Sequence, residues 1–193
     1  MAHINTGTLG FLGDEPEDIN EYVETILRGD FQTEERMMLS AECDGFSTVS
    51  LNDVVIKNGA TARVIELRLS IDGRFVSRVK GDGIVISTPT GSTAYSLAAG
   101  GPVVEPGLRV VIVSPLNPHS LNSRSIVISP GSCLEIAAPV SGQEVILTSD
   151  GQVSYRITPP GSAVVRVSDA RLRLIKSKRF FFTLLSQKMN WGV

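Results

Sequence analysis

Residues 81–102 read GDGIVISTPTGSTAYSLAAGGP. An Asp-Gly pair, a short apolar run, a loop dense in hydroxyls and a small-residue segment follow one another within these 22 residues. Ile84, Val85 and Ile86 make a brief β-branched run bounded by turn residues, which reads as a buried strand. Ser87, Thr88, Thr90, Ser92 and Thr93 then put five hydroxyls into one turn, together with Pro89 and Gly91. A short helix is expected from Ala94 to Ala99, ended by Gly100-Gly101-Pro102. Hydroxyls and free backbone N–H groups at a strand-to-helix junction suit a nucleotide. They can bind ribose, base edges and phosphate without bringing a fixed charge. Ser, Thr, Gly and Pro also build ordinary loops, so the stretch alone leaves both readings open.

The surrounding chain has the same character from residue 32 to about 175. Apolar residues come in short runs: Met37 to Leu39, Val54 to Ile56, Val64 to Leu69, Val110 to Val113, Ile126 to Ile128, Val145 to Leu147 and Val164 to Val167. Four Asp-Gly pairs, at 44–45, 72–73, 82–83 and 150–151, interrupt them. Asp-Gly between apolar runs is a strong hairpin signal, because both residues tolerate positive φ. The expected fold is mainly β, a multi-stranded antiparallel sandwich-like domain with a few peripheral helices.

Two helices flank this body. Over residues 16–28, Ile19, Tyr22, Val23, Ile26 and Leu27 recur at helical spacing. Asp14 is placed to cap this helix, Pro16 to start it and Gly29 to stop it. It reads as a packing element. Residues 180–189 read as a last helix with Phe181, Leu184, Leu185 and Lys188 on one side. Phe180 to Phe182 call for a covering surface, and docking onto the sheets is expected. Ile4 to Leu12 resembles the end of a strand and the loop after it, a remnant of an α/β domain.

The 193 residues carry a net charge of −2, with 42% hydrophobic and 20% charged residues. This balance suits a folded globular chain and argues against a nucleic-acid groove, which needs a basic excess. The one basic cluster, Lys176, Lys178 and Arg179, reads as a solvated rim. Cys43 and Cys133 lack metal-ligand spacing and do not form a disulfide framework, as expected of a reducing cytosol. No signal segment opens the chain and no apolar run approaches a membrane span. The expected location is cytoplasmic, with no membrane and no nucleic-acid partner.

Six blocks coincide with a known family. INTGTLGFL at 4–12, SLNDVVI at 50–56, residues 81–102, PHSLNSRSIVI at 118–128, TSDGQ at 148–152 and FFTLLSQKMNWG at 181–192 resemble bacterial NAD kinases, in the family's order. The resemblance implies transfer of the γ-phosphoryl group of ATP, or of polyphosphate, to the 2′-hydroxyl of the adenosine ribose of NAD, giving NADP. It implies Mg²⁺ or another divalent cation with ATP, and a homodimer or homotetramer whose neighbours complete each other's pockets. It also implies two domains with the site between them. An amino-terminal α/β domain carries a Gly-Gly-Asp-Gly loop and an aspartate base; a carboxy-terminal β domain holds most of the dinucleotide. The only Gly-Asp-Gly here, at 81–83, belongs to the later block. The chain therefore matches the carboxy-terminal domain, divided as a link at 1–30, an NAD-binding body at 31–175 and a segment at 176–193 packing back on the amino-terminal part. The alternative is a nucleotide-binding or assembly module that keeps the pocket without kinase activity. A related small-molecule or lipid kinase on the same β domain is a third reading.

The resemblance assigns NAD binding to Asn52, Asp53, Asp82, Thr90, Thr93, Ala94 and Tyr95, and no catalytic residue. An amide beside a carboxylate, Asn52-Asp53, suits an adenine edge and ribose hydroxyls; the same pair could merely start the strand after it. Thr90 and backbone groups at Thr93 and Ala94 match positions around the adenine, and Tyr95 offers a ring and a hydroxyl. By itself a Tyr at a helix start is more often core. Asp82 matches an acid at the nicotinamide side, contributed across a subunit boundary; as an Asp-Gly turn it needs no ligand. Asp150-Gly151-Gln152 reads as a hairpin turn and His119 as part of a packed loop. Arg124 is free to meet a phosphate, a partner's carboxylate or a surface acid.

Overall fold

The structure, a computed structural model, describes residues 1–2, 11–13, 16, 18–59, 64–177 and 179–189. It is mainly β, as expected, with peripheral helices. The chain divides into two compact units, one of residues 37–170 and one of residues 1–36 and 171–193.

The larger unit is built on two antiparallel six-stranded sheets. In chain order the strands are β1 (Thr33–Cys43), β2 (Phe46–Ser50), β3 (Asp53–Asn58), β4 (Ile65–Ile71), β5 (Arg74–Gly81), β6 (Gly83–Ser87), β7 (Val111–Leu116), β8 (Ile126–Ile128), β9 (Leu134–Ala138), β10 (Val145–Ser149), β11 (Val153–Ile157) and β12 (Gly161–Ile175). One sheet runs β2-β1-β12-β9-β4-β5 and the other β11-β10-β3-β6-β7-β8. A single hydrophobic cluster draws on both: Leu39, Leu67, Leu134 and Ile136 from the first, Val54, Ile56, Ile84, Ile86 and Leu147 from the second. Full burial of each such side chain stabilises by roughly 1.5–3 kcal/mol.

The alternation of burial separates the two sheets. In β1, Met37, Leu39, Ala41 and Cys43 are buried while the residues between them are not, the period-2 pattern of a half-solvated strand. In β3 and β6 the apolar runs are continuous because both faces are covered. Val54, Ile56, Ile84 and Ile86 enter the main core, whereas Val55 and Val85 join a second small cluster with Leu116 and Ala99. Ala99 is the C-cap of a short helix, α2 (Tyr95–Ala98), so this helix end covers the outer face at that point. The strand expected at 84–86 and the helix expected at 94–99 are both present.

Three of the four Asp-Gly pairs turn hairpins. Asp44-Gly45 joins β1 to β2, Asp72-Gly73 joins β4 to β5 and Asp150-Gly151 joins β10 to β11, each with positive φ at both residues. The hairpin reading of Asp82-Gly83 is corrected. Asp82 is the single residue between β5 and β6, which lie in different sheets. The chain turns a corner there, and its glycines serve close approach. A Cβ on Gly83 would stand 2.2 Å from the Ile56 carbonyl oxygen, and one on Gly81 would stand 2.7 Å from that of Leu116.

The smaller unit holds α1 (Ile19–Leu27), α3 (Phe181–Met189), the first residues of β1 and the last of β12. The first helix is shorter than the 16–28 expected. Its N-cap is Asp18, whose carboxylate accepts the N–H groups of Asn20 and Glu21 at 2.8 and 3.2 Å. Pro16 therefore precedes the helix, and Asp14 lies outside the described residues. Gly29, with φ +79°, follows the C-cap Arg28 as the stop. No residue of α1 is buried, and Leu27 is 81% exposed. Asp18→Ala should cost the helix about 1 kcal/mol. Amide exchange should therefore quicken in α1 and stay unchanged in β3.

The last helix lies where expected, with Leu184 and Leu185 buried. Of the three phenylalanines for which a cover is expected, Phe180 and Phe182 are 65% and 47% exposed. Ring centroids lie 5.3 Å apart for Phe180–Phe182 and for Phe181–Phe182, and Phe181 also meets Phe11 at 6.2 Å. A groove of about 940 Å³ in this unit is lined by α1, residues 29–32 and residues 175–177 and 179. None of the candidate site residues lines it. Among the described residues, no helix is long and apolar enough to cross a membrane.

Candidate functional site

Register brings the candidate loops together. β3 is antiparallel to β6 with Asp53 opposite Ser87, and β10 is antiparallel to β3 with Ser149 opposite Val54. The loop before β3, the loop after β6 and the turn after β10 therefore converge at one end of the second sheet.

Thr88 joins the first two loops. Its N–H donates to the Asn52 carbonyl at 2.9 Å and its Oγ1 donates to the Leu51 carbonyl at 2.6 Å. The same Oγ1 accepts the Gly91 N–H at 3.1 Å. Gly91 sits directly against the other loop, since a Cβ there would lie 2.1 Å from the Asn52 carbonyl oxygen. The third loop supplies the remaining partner. Asp150 Oδ2 accepts the Leu51 N–H at 2.7 Å, and Oδ1 accepts those of Asn52 and Asp53 at 2.7 and 3.0 Å. Its own N–H donates to the Asp53 carbonyl at 3.0 Å.

The five hydroxyls of the loop divide into two sets. Ser87, Thr88 and Ser92 are buried and bond to backbone; Ser92 Oγ both donates to the Val104 carbonyl and accepts its N–H, each at 3.1 Å. Thr90 and Thr93, on a 3₁₀ turn (Thr90–Thr93), stay half-buried beside exposed Ala94 and Tyr95. Tyr95 is 43% exposed, which excludes the core reading of its ring. The Ala94 N–H already donates to the Gly91 carbonyl at 2.9 Å. Its carbonyl accepts the Leu97 N–H at 3.2 Å, so of Ala94 only the methyl is left without an internal partner.

Asp53 is the first residue of β3 and only 5% exposed. Burial, and secondarily the charge of Asp150, push its carboxyl up to about 6. Such a group holds its proton to near-neutral pH and can donate or accept toward a hydroxyl.

Asp82 is not brought to this cluster. It lies beyond the opposite end of β6, roughly 16 Å from Ser87 at the rise of an extended strand. There its carboxylate accepts the Asn117 side-chain amide at 2.7 Å and the Asn58 amide at 3.4 Å. Arg124 donates to the Leu121 and Ser123 carbonyls of its own loop at 2.6 and 2.8 Å, and His119 is exposed with its N–H donated to the Lys80 carbonyl. The sequence reading missed Thr88 and Gly91 as the residues that fasten the loops; it placed Asp150 correctly in a hairpin turn but not as the acceptor of three N–H groups. The signal available was the strand pairing itself, since residues that follow paired strands must meet.

A buried acid with a raised pKa, an amide beside it, and a half-exposed hydroxyl and aromatic rim thus stand at one end of a two-sheet β domain. A profile of the family described as ATP-NAD kinase C-terminal domain matches residues 51–177. The chain belongs to the NAD kinase family, whose members are phosphotransferases, and contains its C-terminal domain. The NAD kinase of Syntrophotalea carbinolica is 40% identical over 98% of this chain and 69% of its own length. That of Geobacter sulfurreducens is 41% identical, with the same coverage. Among solved structures, an NAD kinase from Archaeoglobus fulgidus in complex with ATP superimposes with a TM-score of 0.85 at 28% identity, over 98% of this chain and 73% of that one. Yeast NADH kinase complexed with NADH shares the fold, with a TM-score of 0.88 at 24% identity; this chain spans 98% of its own length and 59% of the yeast chain.

Proposed function

We propose that this chain supplies the NAD-binding part of an NAD kinase, which transfers the γ-phosphoryl group of ATP to the 2′-hydroxyl of the adenosine ribose of NAD. The observation that carries the reading is the fastening of the Asn52-Asp53 loop to the Thr90–Tyr95 segment at one end of the sheet. An adenosine fits this rim by chemistry: Asn52 and Thr90 toward base nitrogens, Tyr95 against a ring face, Asp53 toward ribose hydroxyls. In the transfer a bond forms between O2′ and the γ-phosphorus while the 2′-hydroxyl proton passes to a base or to solvent, the bond from that phosphorus to the β-bridging oxygen breaks, and ADP leaves. The enzyme's task is then positioning and charge stabilisation.

A divalent cation enters as part of the ATP substrate. Among the described residues no group of three His, Cys, Asp or Glu side chains could cage a metal, and Asp150 already accepts three backbone N–H groups. Mg²⁺ is commonly held through substrate phosphates. Asp82, at the far end of β6, is assigned to the nicotinamide half of the dinucleotide, across a boundary with a neighbouring copy in a homodimer or homotetramer. A cytoplasmic location accords with two unpaired cysteines, of which Cys43 has its thiol pushed up to about 11 chiefly by burial.

Calorimetric titration with NAD tests the pocket. Asn52→Ala and Tyr95→Ala should each weaken binding by about 1–3 kcal/mol, the range of a lost hydrogen-bonded group, with unfolding little changed. Unaltered affinity in both variants would remove the pocket. ATP-dependent NADP formation, assayed alongside, separates kinase activity from binding alone.

A further inference from the structure

We propose that Asp150 is a positioning residue for the acceptor nucleoside, holding Asn52 and Asp53 in place through their backbone. This deepens the NAD-binding reading and rests on it. Leu51 and Asn52 precede β3, so their N–H groups have no ladder partner, and unpaired backbone donors are costly where water is displaced. The Asp150 carboxylate accepts both, and the Asp53 N–H as well. Three consecutive N–H groups thus converge on one anion, a backbone nest. The carbonyls of Leu51 and Asn52 go to Thr88 on the other side. The loop's donors face one element and its acceptors another, so the side chains of Asn52 and Asp53 emerge from a fixed frame.

The turn alone does not require this carboxylate. Asp44 and Asp72 sit in hairpin turns with φ of 49° and 50°, as Asp150 does at 49°. The Asp72 carboxylate accepts the single N–H of Cys133, far from the site in sequence. Asparagine or glycine would satisfy the backbone geometry at position 150 equally well. Asparagine would set an NH₂ group against at least one of the three N–H donors.

The test compares NAD affinity by calorimetry in the unaltered chain, Asp150→Asn, Asp72→Asn and the pair Asp150→Asn/Asn52→Ala. The expected result is at least a tenfold loss of NAD affinity in Asp150→Asn and less than a twofold change in Asp72→Asn. In the Asn52→Ala background the effect of Asp150→Asn should shrink at least threefold, to the part that acts through Asp53; a double-mutant cycle reads this coupling, and a purely global loss of stability would not produce it. Where Asp150→Asn does not fold, Asp150→Gly, which suits the positive φ and removes the carboxylate, is read in the same way. Normal NAD affinity in the Asp150 variant, or a penalty undiminished in the Asn52→Ala background, overturns the proposal while leaving the NAD site standing. Failure of the unaltered chain to bind NAD overturns the NAD-binding reading, and this proposal with it.

Discussion

Gly91→Ala is expected to lower unfolding stability by about 3 kcal/mol, the upper part of the range for overpacking, and to weaken NAD binding at least tenfold. The added Cβ would stand 2.1 Å from the Asn52 carbonyl oxygen, 2.5 Å from its carbon and 2.7 Å from its Cα. These are backbone atoms, so no flexible side chain can swing aside. Their segment is held by Thr88 on one flank and Asp150 on the other. Relief must come from separating the two loops, which dismantles the site. Gly107→Ala is the matched control, since nothing lies within 4 Å of its added Cβ; it should stay within about 0.5 kcal/mol of the parent. Urea unfolding of the two variants checks this, and equal stability would mean that the loops are not in contact.

Asp53→Asn is expected to stabilise the fold at pH 7.5 while impairing NAD binding. The Asp53 carboxyl is raised from 3.8 to about 6 by burial first and by Asp150 second. Well below its unfolded value of 3.8 it is protonated in folded and unfolded chains alike, and the favourable contribution is complete. As pH rises from there the unfolded chain releases its proton first, so stability falls until the folded group ionises near pH 6. The total loss is on the order of 2–3 kcal/mol, from about two units at 1.36 kcal/mol each. Asparagine removes this titration. The difference between variant and parent should therefore grow between pH 4 and 6 and level off above. A parallel pH dependence in both proteins would show that Asp53 is not the titrating group. The expected loss of binding alongside the gain marks a position kept for function against stability.

The framework of the fold was readable because burial leaves a period in the chain. Val54 to Ile56 and Ile84 to Ile86 read as strands from composition alone, and three Asp-Gly pairs announced their hairpins. Asp82 misled because a pair local to two residues cannot show that its flanking strands belong to different sheets. Asn52, Asp53, Thr90, Thr93 and Tyr95 could be selected from their motifs, and the structure sets them at one end of the sheet. Thr88 and Asp150 could not be ranked in the same way. Their partners lie 37 and 97–99 residues away, and only the register of β10, β3 and β6 makes them neighbours. The phenylalanines at 180–182 show the converse limit, since an apolar run states that a cover is favourable without saying which surface provides it.

β3 and β6 are shielded on both faces, and the loops of the candidate site leave directly from their paired ends. A domain of this kind has little scope for melting those loops separately. The strands that anchor them are the last from which solvent can gain entry, so local opening should be confined to the periphery. The shape of that end of the sheet should then survive until the whole domain comes apart.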